Sequence, residues 1–256
     1  MRWLLKSLDG LTARVATHVL AVSESERNFL VQQGVAPAGK VRVLGAGSIC
    51  GVDTGRFRPD EVVRAQVRAE LGVPESAVLC IFLGRLTEDK GVLELAHAFA
   101  QSATTHPALW LLLVGPDEED MQVRLRALVP PEQASRMLIR PFANEPQRSL
   151  AAADFLCLPS YREGFGMAIL EAAAAGIPAI GSRIYGITDA IEDGRTGLLV
   201  PARDTAALAA AISRWCEQPQ ERQNYGVAAQ DRVRTRFEQK NVVNGYVEYF
   251  SSLFRR

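Results

Sequence analysis

The 256-residue sequence has little histidine and little cysteine, and it has no surplus of charge of either sign. Its three histidines stand far apart, and their spacing does not predict a metal site. Twenty-nine basic residues balance twenty-nine acidic ones, so the charge argues against nucleic acid as a partner. Four cysteines without a C-x-x-C pair predict free thiols in a reducing, cytoplasmic location.

Long uninterrupted apolar runs are also missing. Charged residues interrupt the longest candidate membrane spans, including the first 22 residues, so we predict neither a transmembrane helix nor a signal peptide. Residues 1–6 and 249–256 each mix bulky apolar and basic side chains, a pattern typical of an interfacial helix. We therefore expect a cytoplasmic protein whose ends either contact the inner face of a membrane peripherally or are covered by another domain.

Strand-like and helical segments alternate along the chain, which predicts an α/β fold with a doubly wound, Rossmann-like parallel sheet. A Ser23 cap with Glu26 three residues on predicts the start of one helix. The predicted strands are 18–22, 41–44, 78–83, 109–114, 137–139, 154–158, 178–181 and 198–200. The predicted helices are 25–33, 61–71, 91–103, 118–128, 147–152, 167–175, 205–216 and 218–237.

The most informative segment runs from Glu163 to Glu171. Gly164 and Gly166 leave backbone N–H groups uncovered where a helix begins, and the positive end of a helix dipole favours a phosphate there. Glu171 lies on an apolar stripe of the predicted helix 167–175, and a buried carboxylate needs partners. The alternative, that both acids are ordinary solvated charges, fits poorly with the alanines around Glu171. The segment therefore predicts a site for an anionic, hydroxyl-rich ligand.

Two cations lie in another loop, between the predicted strand 78–83 and the predicted helix 91–103. Arg85 and Lys90 would reach the carboxyl edge of a parallel sheet, where such folds bind ligands. Guanidinium and ammonium groups suit phosphate oxygens. Taken alone, this is better interpreted as an ordinary charged loop, but beside the acidic segment a phosphate-binding role is favoured.

Residues 45–51 have the appearance of a dinucleotide fingerprint, G-x-G-x-x-G. Cys50 stands where the pattern needs its last glycine, and no apolar helix follows. These departures argue against a Rossmann-type redox site.

The segment from Glu163 to Glu171 is similar to the E-x7-E motif of retaining glycosyltransferases of the GT-B fold, specifically family 4. Residues 83–91 resemble the diphosphate-binding loop of that family, and residues 181–187 and 192–201 resemble its later motifs, in the same order. The resemblance extends from about Thr12 to the C-terminus. It implies transfer of a sugar from a nucleotide diphosphate with retention at the anomeric carbon.

The resemblance also implies a role for each site residue. Arg85 and Lys90 would bind the diphosphate of a UDP- or GDP-type sugar donor, without a metal or another cofactor. Glu171 would bind the ribose hydroxyls, and Glu163 would be the catalytic residue that binds the sugar hydroxyls. Backbone amides would come from Gly164, Phe165 and Gly166.

By the same resemblance, residues 1–40 would be the end of an N-terminal GT-B domain and the interdomain link, residues 41–237 the nucleotide-sugar-binding Rossmann-like domain, and residues 238–256 a C-terminal helix. GT-B enzymes have two domains, so we expect most of the acceptor site to be absent from this chain. An N-terminal domain is accordingly an expected partner, and the chain alone is expected to bind donor without transferring sugar.

The implied acceptor is a glycan or a lipid-linked sugar, in the synthesis of a surface glycan or polysaccharide. Residues 41–57, with Asp53, Arg56 and Phe57, resemble the interdomain stretch of this family. The Gly-Ser variant within this stretch is similar to that of members acting on polyprenyl-diphosphate-linked sugars. Two alternatives stay open at this point. One is a non-catalytic nucleotide-sugar-binding module or subunit, and the other is an epimerase or phosphorylase of related architecture.

Overall fold

The computed structural model describes residues 2–141 and 144–254. Helices flank a main sheet of six parallel strands. The strands are β1 (Val19–Leu20), β2 (Val41–Arg42), β3 (Val78–Leu83), β4 (Leu109–Val114), β5 (Met137–Arg140), β6 (Phe155–Leu158), β7 (Ala179–Ser182) and β8 (Gly197–Val200). The helices are α1 (Arg2–Val15), α2 (Glu24–Gln32), α3 (Glu61–Leu71), α4 (Val92–Thr105), α5 (Met121–Leu128), α6 (Pro146–Ala152), α7 (Met167–Ala174), α8 (Ile187–Ala190), α9 (Thr205–Glu217), α10 (Pro219–Arg236) and α11 (Gln239–Phe254).

The strand order of the main sheet is β5-β4-β3-β6-β7-β8, and all of its pairings are parallel. From β3 the chain first builds toward one edge through β4 and β5, and then returns to the other side of β3 to place β6, β7 and β8. The order therefore reverses between β3 and β6. In a doubly wound sheet the carboxyl ends of the two strands at this reversal form the ligand-binding crevice.

Two neighbouring strands of the main sheet, β3 and β4, are apolar along their whole length. β3 reads VLCIFL and β4 reads LWLLLV, which suits strands that are covered by helices on both faces. Leu79, Ile81 and Leu113 are completely buried. On β6, the neighbour of β3 in the sheet, Phe155 packs edge to face on Trp215 of α9 at a centroid distance of 5.4 Å. The core therefore fixes the ends of β3 and β6 relative to each other.

Local sequence signals predicted the elements of the main sheet well, and the prediction of an α/β fold is confirmed. Strands 78–83 and 109–114 and helix 61–71 have the predicted bounds. Ser23 caps α2 as predicted, since its hydroxyl accepts from the Glu26 N–H at 3.0 Å. The helix predicted from residue 118 begins only at Met121, because Asp120 has a left-handed φ of 52° and ends any helical backbone before it. The Asp117 carboxylate accepts from the Met121 N–H at 2.7 Å.

Residues between Ala13 and Val43 pack around a small cluster of their own. Ala13, Ala21, Ala36 and Val41 form its buried part, and β1 and β2 pair with each other in a separate two-stranded sheet. Each of these strands has two residues, shorter than predicted. The division of the chain at residues 40 and 237 stays a prediction.

The ends of the chain carry exposed apolar side chains. Leu8 and Leu11 on α1 and Val247 and Phe250 on α11 are examples. Parts of the predicted interfacial segments, namely Met1, the side chains of residues 2–4, and residues 255–256, lie outside the described residues. Among the described helices, none combines the length and the apolar character needed to cross a membrane.

Candidate functional site

Two predicted site residues from different loops form an ion pair. The Lys90 Nζ lies 2.5 Å from the Glu163 Oε2, and only 15% and 19% of the two side chains are exposed. Lys90 ends a 3₁₀ turn, Glu88–Lys90, in the loop after β3. Glu163 lies in the loop after β6, at the start of a turn that we call the acidic turn (residues 163–166). The structure thus brings together a cation and a carboxylate at the point where the strand order reverses.

Close backbone packing between these loops explains why the pair forms. Gly91 has a φ of +70°, and a Cβ added to it would lie 2.1 Å from the carbonyl oxygen of Pro159. Only glycine permits this approach together with the left-handed backbone. The Tyr161 N–H also donates to the Asp89 carbonyl at 2.8 Å. The loop after β3 is therefore held against the loop after β6 on both sides of Lys90.

Arg85 has a different partner. Its Nη1 lies 2.9 Å from the Glu118 Oε2, and 54% of the Arg85 side chain is exposed. Among the described residues, no hydrogen bond or ion pair joins Arg85 to Lys90 or Glu163. Arg85 lines an open cavity of about 420 Å³ at the same edge of the sheet, together with Tyr161 and Arg203. The second predicted cation is thus near the carboxyl edge but is paired with an acid from the loop after β4.

The aromatic side chain of the acidic turn is buried, and within the described part of the chain the backbone N–H groups of the turn are unpaired. Phe165 is 2% exposed and packs edge to face on Phe237 at 5.5 Å, so its ring belongs to the core. Gly166 caps α7 in a left-handed conformation with a φ of +69°. Within residues 2–141 and 144–254, the N–H groups of Gly164, Phe165 and Gly166 have no hydrogen-bond partner. Uncovered N–H groups at the start of a helix can bind an anion.

Glu171 lies about one helical turn into α7, between the buried residues Leu170 and Ala172. Burial raises the pKa of its carboxyl group above the ordinary value, and the charge of Arg56 opposes this shift only in part. A half-buried carboxylate of this kind gains stability from hydrogen-bond donors such as the hydroxyl groups of a ligand. The structure thus leaves Glu171 suited to bind a polar group near the start of α7.

Sequence reasoning missed two acids of this edge. Asp89 accepts a hydrogen bond from the Thr87 hydroxyl at 2.6 Å, which is the main reason that the pKa of Asp89 lies below its ordinary value. The positive charge of the neighbouring Lys90 also lowers the pKa of Asp89. The Thr-x-Asp spacing is a local signal that could have indicated this contact. Glu118, the partner of Arg85, stands in a run of four acids, residues 117–120, and no local signal distinguishes it from its neighbours.

The described part of the chain contains no group of three or more histidine, cysteine, aspartate or glutamate side chains arranged to hold a metal ion.

Comparison with known proteins identifies the family. Residues 63–232 match the family described as glycosyl transferases group 1. The chain is 34% identical over 217 residues to a D-inositol 3-phosphate glycosyltransferase of Streptomyces avermitilis, and the match covers 80% of this chain and 45% of that protein. It is 25% identical over 235 residues to the capsular polysaccharide biosynthesis glycosyltransferase CapM of Staphylococcus aureus, with 92% of this chain and 61% of CapM covered. The chain belongs to the glycosyl transferases group 1 family.

Solved structures agree with this assignment. Anabaena Alr3699/HepE in complex with UDP and glucose matches with a TM-score of 0.86 and 25% identity, over 97% of this chain and 66% of HepE. Sucrose-phosphate synthase of Thermosynechococcus elongatus matches with a TM-score of 0.84 and 28% identity, over 98% of this chain and 61% of that chain. The resemblance to GT-B glycosyltransferases of family 4 is confirmed. The chain spans about half the length of the relatives that it matches, 45% and 50% for two of them.

Proposed function

We propose that this chain binds a nucleoside diphosphate sugar and forms the donor site of a retaining glycosyltransferase. Family membership supports the class of reaction. The observation that supports the location is the Lys90–Glu163 pair, which lies at the carboxyl edge between β3 and β6 beside the unpaired N–H groups of the acidic turn. A cation, a helix start and a carboxylate at one place suit a ligand that is anionic at one end and rich in hydroxyl groups at the other.

The diphosphate would bind to Lys90 and Arg85. Both cations are already paired with carboxylates, Lys90 with Glu163 and Arg85 with Glu118, so the diphosphate would replace a carboxylate as their partner. The N–H groups of Gly164, Phe165 and Gly166 would add neutral donors. Because these groups can balance the charge of the diphosphate, the proposal includes binding without a metal ion or another cofactor.

Glu163 would bind the sugar as the catalytic residue. Once Lys90 turns to the phosphates, the Glu163 carboxylate is free to accept hydrogen bonds from sugar hydroxyls. The bond from the anomeric carbon to the diphosphate would break, and its electron pair would leave on the diphosphate, where Lys90 and Arg85 stabilise the charge. The acceptor oxygen would form the new bond on the same face of the sugar, and its proton would pass to the departing diphosphate.

Glu171 would bind the nucleoside end of the donor. Its carboxylate lies on α7 beyond the acidic turn. Because the carboxylate is partly buried, hydrogen bonds from two ribose hydroxyls would stabilise its charge. The same helix would then contact the donor twice, at its start through backbone N–H groups and one turn later through Glu171.

The wider setting is also part of the proposal. The acceptor would be a glycan or a lipid-linked sugar in polysaccharide synthesis, as the name of the relative CapM suggests for that protein. The protein would act in the cytoplasm, and nucleic acid is not among its proposed partners. The exposed apolar residues of α1 and α11 would contact either the inner face of the membrane or an N-terminal domain.

The direct test is calorimetric titration with UDP-glucose, UDP-N-acetylglucosamine, GDP-mannose and the free nucleotides, in excess chelator. We expect at least one nucleotide and its sugar to bind, and Lys90→Met to weaken that binding at least tenfold, by about 1.5–3 kcal/mol for a charge-assisted contact. The matched control is Lys240→Met, since Lys240 is exposed on α11. Lack of binding, or binding that requires manganese or magnesium, would contradict the proposal.

A further inference from the structure

A hydrogen-bond cluster joins the start of α2 to the start of α8. The Ser25 hydroxyl donates to the Asp189 carboxylate and accepts from the Gly186 N–H at 2.7 Å. The backbone N–H groups of Glu24 and Ser25 donate to the same carboxylate at 3.2 and 3.3 Å. Ser25 and Asp189 are 164 positions apart in sequence, so this cluster is a tertiary contact between the first segment of the chain and the main sheet.

Gly186 lies directly against the acidic turn. A Cβ added to Gly186 would lie 2.4 Å from the carbonyl oxygen of Glu163 and 2.5 Å from that of Gly164. The φ of Gly186 is +82°, a conformation that other residues rarely adopt. Two backbones in such close contact cannot shift independently. The hydrogen bond from the Gly186 N–H to the Ser25 hydroxyl therefore helps to fix the position of the turn that carries Glu163.

Residues 47–48 contact the acidic turn and the start of α7 from another side. A Cβ added to Gly47 would lie 3.1 Å from the Phe165 ring, and the Ser48 hydroxyl lies 3.3 Å from the Met167 sulfur. Ser48 is in turn tied to the start of α2, since its N–H donates to the Val22 carbonyl at 2.7 Å. The acidic turn is thus enclosed between the Ser25–Gly186 contact and residues 47–48.

Ring stacking reinforces the same contact. Phe29 of α2 stacks on Tyr185 with ring centroids 4.6 Å apart and planes 22° apart. Tyr185 immediately precedes Gly186, so α2 contacts this loop through a hydrogen bond and through an aromatic pair.

We propose that Ser25 is a positioning residue for the donor site. It holds Gly186 against the acidic turn and thereby keeps Glu163 where it meets the sugar of the donor. This inference rests on the proposed function, because it assigns Ser25 to the sugar-binding part of the same site. The nucleotide-binding part should respond little, since Glu171 lies about one turn further along α7.

The test compares the binding of a nucleotide with that of its sugar conjugate. Dissociation constants for UDP, UDP-glucose, GDP and GDP-mannose are measured by calorimetry for the unmodified chain and for Ser25→Ala. We expect Ser25→Ala to weaken binding of the nucleotide sugar about five- to tenfold, the scale of one lost hydrogen bond, and to change free nucleotide binding less than about twofold. Ser25→Thr, which keeps the hydroxyl, should restore the ratio of the two constants.

Asp60→Ala is the matched control. It removes the N-cap of α3, whose carboxylate accepts from the Val63 N–H at 3.0 Å, and no contact of Ser25, so it should destabilise a helix without changing the ratio. If Ser25→Ala fails to fold, Asp189→Asn tests the same cluster, because it weakens the acceptor shared by Glu24 and Ser25. An unchanged ratio in the folded variant overturns this inference alone. Failure of the unmodified chain to bind any of the four probes overturns the proposed function and this inference with it.

Discussion

The Lys90 ammonium and the Glu163 carboxylate, 2.5 Å apart, are each other's ion-pair partners, although we assign one to the diphosphate and the other to the sugar of a donor. Under the proposed function, donor binding would exchange this pair for a contact between Lys90 and a phosphate. The strength of the pair would then set part of the affinity for the donor.

Glu163→Gln should consequently tighten the binding of free UDP or GDP. The amide keeps the shape of the side chain but removes the charge that holds Lys90, and a pair of this kind is worth about 0.5–1.5 kcal/mol, or a few-fold in affinity. Binding of the nucleotide sugar should not improve to the same extent, because in the proposed complex Glu163 would also contact the sugar. Calorimetry with both ligands measures the two effects. Weaker nucleotide binding in Glu163→Gln would contradict the exchange of partners.

Glu171→Ala should weaken nucleotide binding by about 1.5–3 kcal/mol, the scale for hydrogen bonds to a charged group. The control is a 2′,3′-dideoxy nucleotide, which should bind equally weakly to the unmodified chain and to the variant, because neither complex can form the ribose contacts. Unchanged affinity of the variant for the ordinary nucleotide would leave Glu171 with a structural role only.

Glu171→Gln should also raise the melting temperature at neutral pH. Burial raises the pKa of Glu171 in the folded chain above its unfolded value, so the stability linked to this group is fully present below the unfolded pKa, about 4.3. That stability is lost as the pH rises through the folded pKa. In thermal melts between pH 4 and 8, the melting temperature of Glu171→Gln should therefore exceed that of the unmodified chain by an amount that grows with pH. The control is Glu132→Gln, because Glu132 is exposed, and its difference in melting temperature should not grow.

Gly91→Ala should destabilise the fold much more than Gly72→Ala. Both glycines have a φ of +70°, so the added methyl group costs each about 1–2 kcal/mol of backbone strain. At Gly72 nothing lies within 4 Å of the added Cβ, whereas at Gly91 the Pro159 carbonyl oxygen lies 2.1 Å away. Overpacking adds about 1–3 kcal/mol. Urea unfolding of both variants gives the difference, and equal losses would mean that the loops after β3 and β6 are not packed as described.

The local elements and their order followed from the sequence alone. The apolar runs of β3 and β4, the cap at Ser23 and the alternation of strands with helices depend on neighbours within a few positions, and these predictions agreed with the structure. The glycines and acids of the segment from Glu163 to Glu171 also predict an anion site from local sequence, since the start of a helix favours an anion. That site stays a prediction.

The tertiary structure alone decided which charged and polar side chains pair. Lys90 and Glu163 are 73 positions apart, Arg85 and Glu118 are 33 apart, and Ser25 and Asp189 are 164 apart. Each partner was chosen by the strand order, which puts the loops after β3, β4 and β6 at one edge, and by backbone contacts at Gly91 and Gly186. Charge attraction falls off within a few ångströms in water, so spacing along the sequence could not predict these contacts before the sheet had brought the loops together.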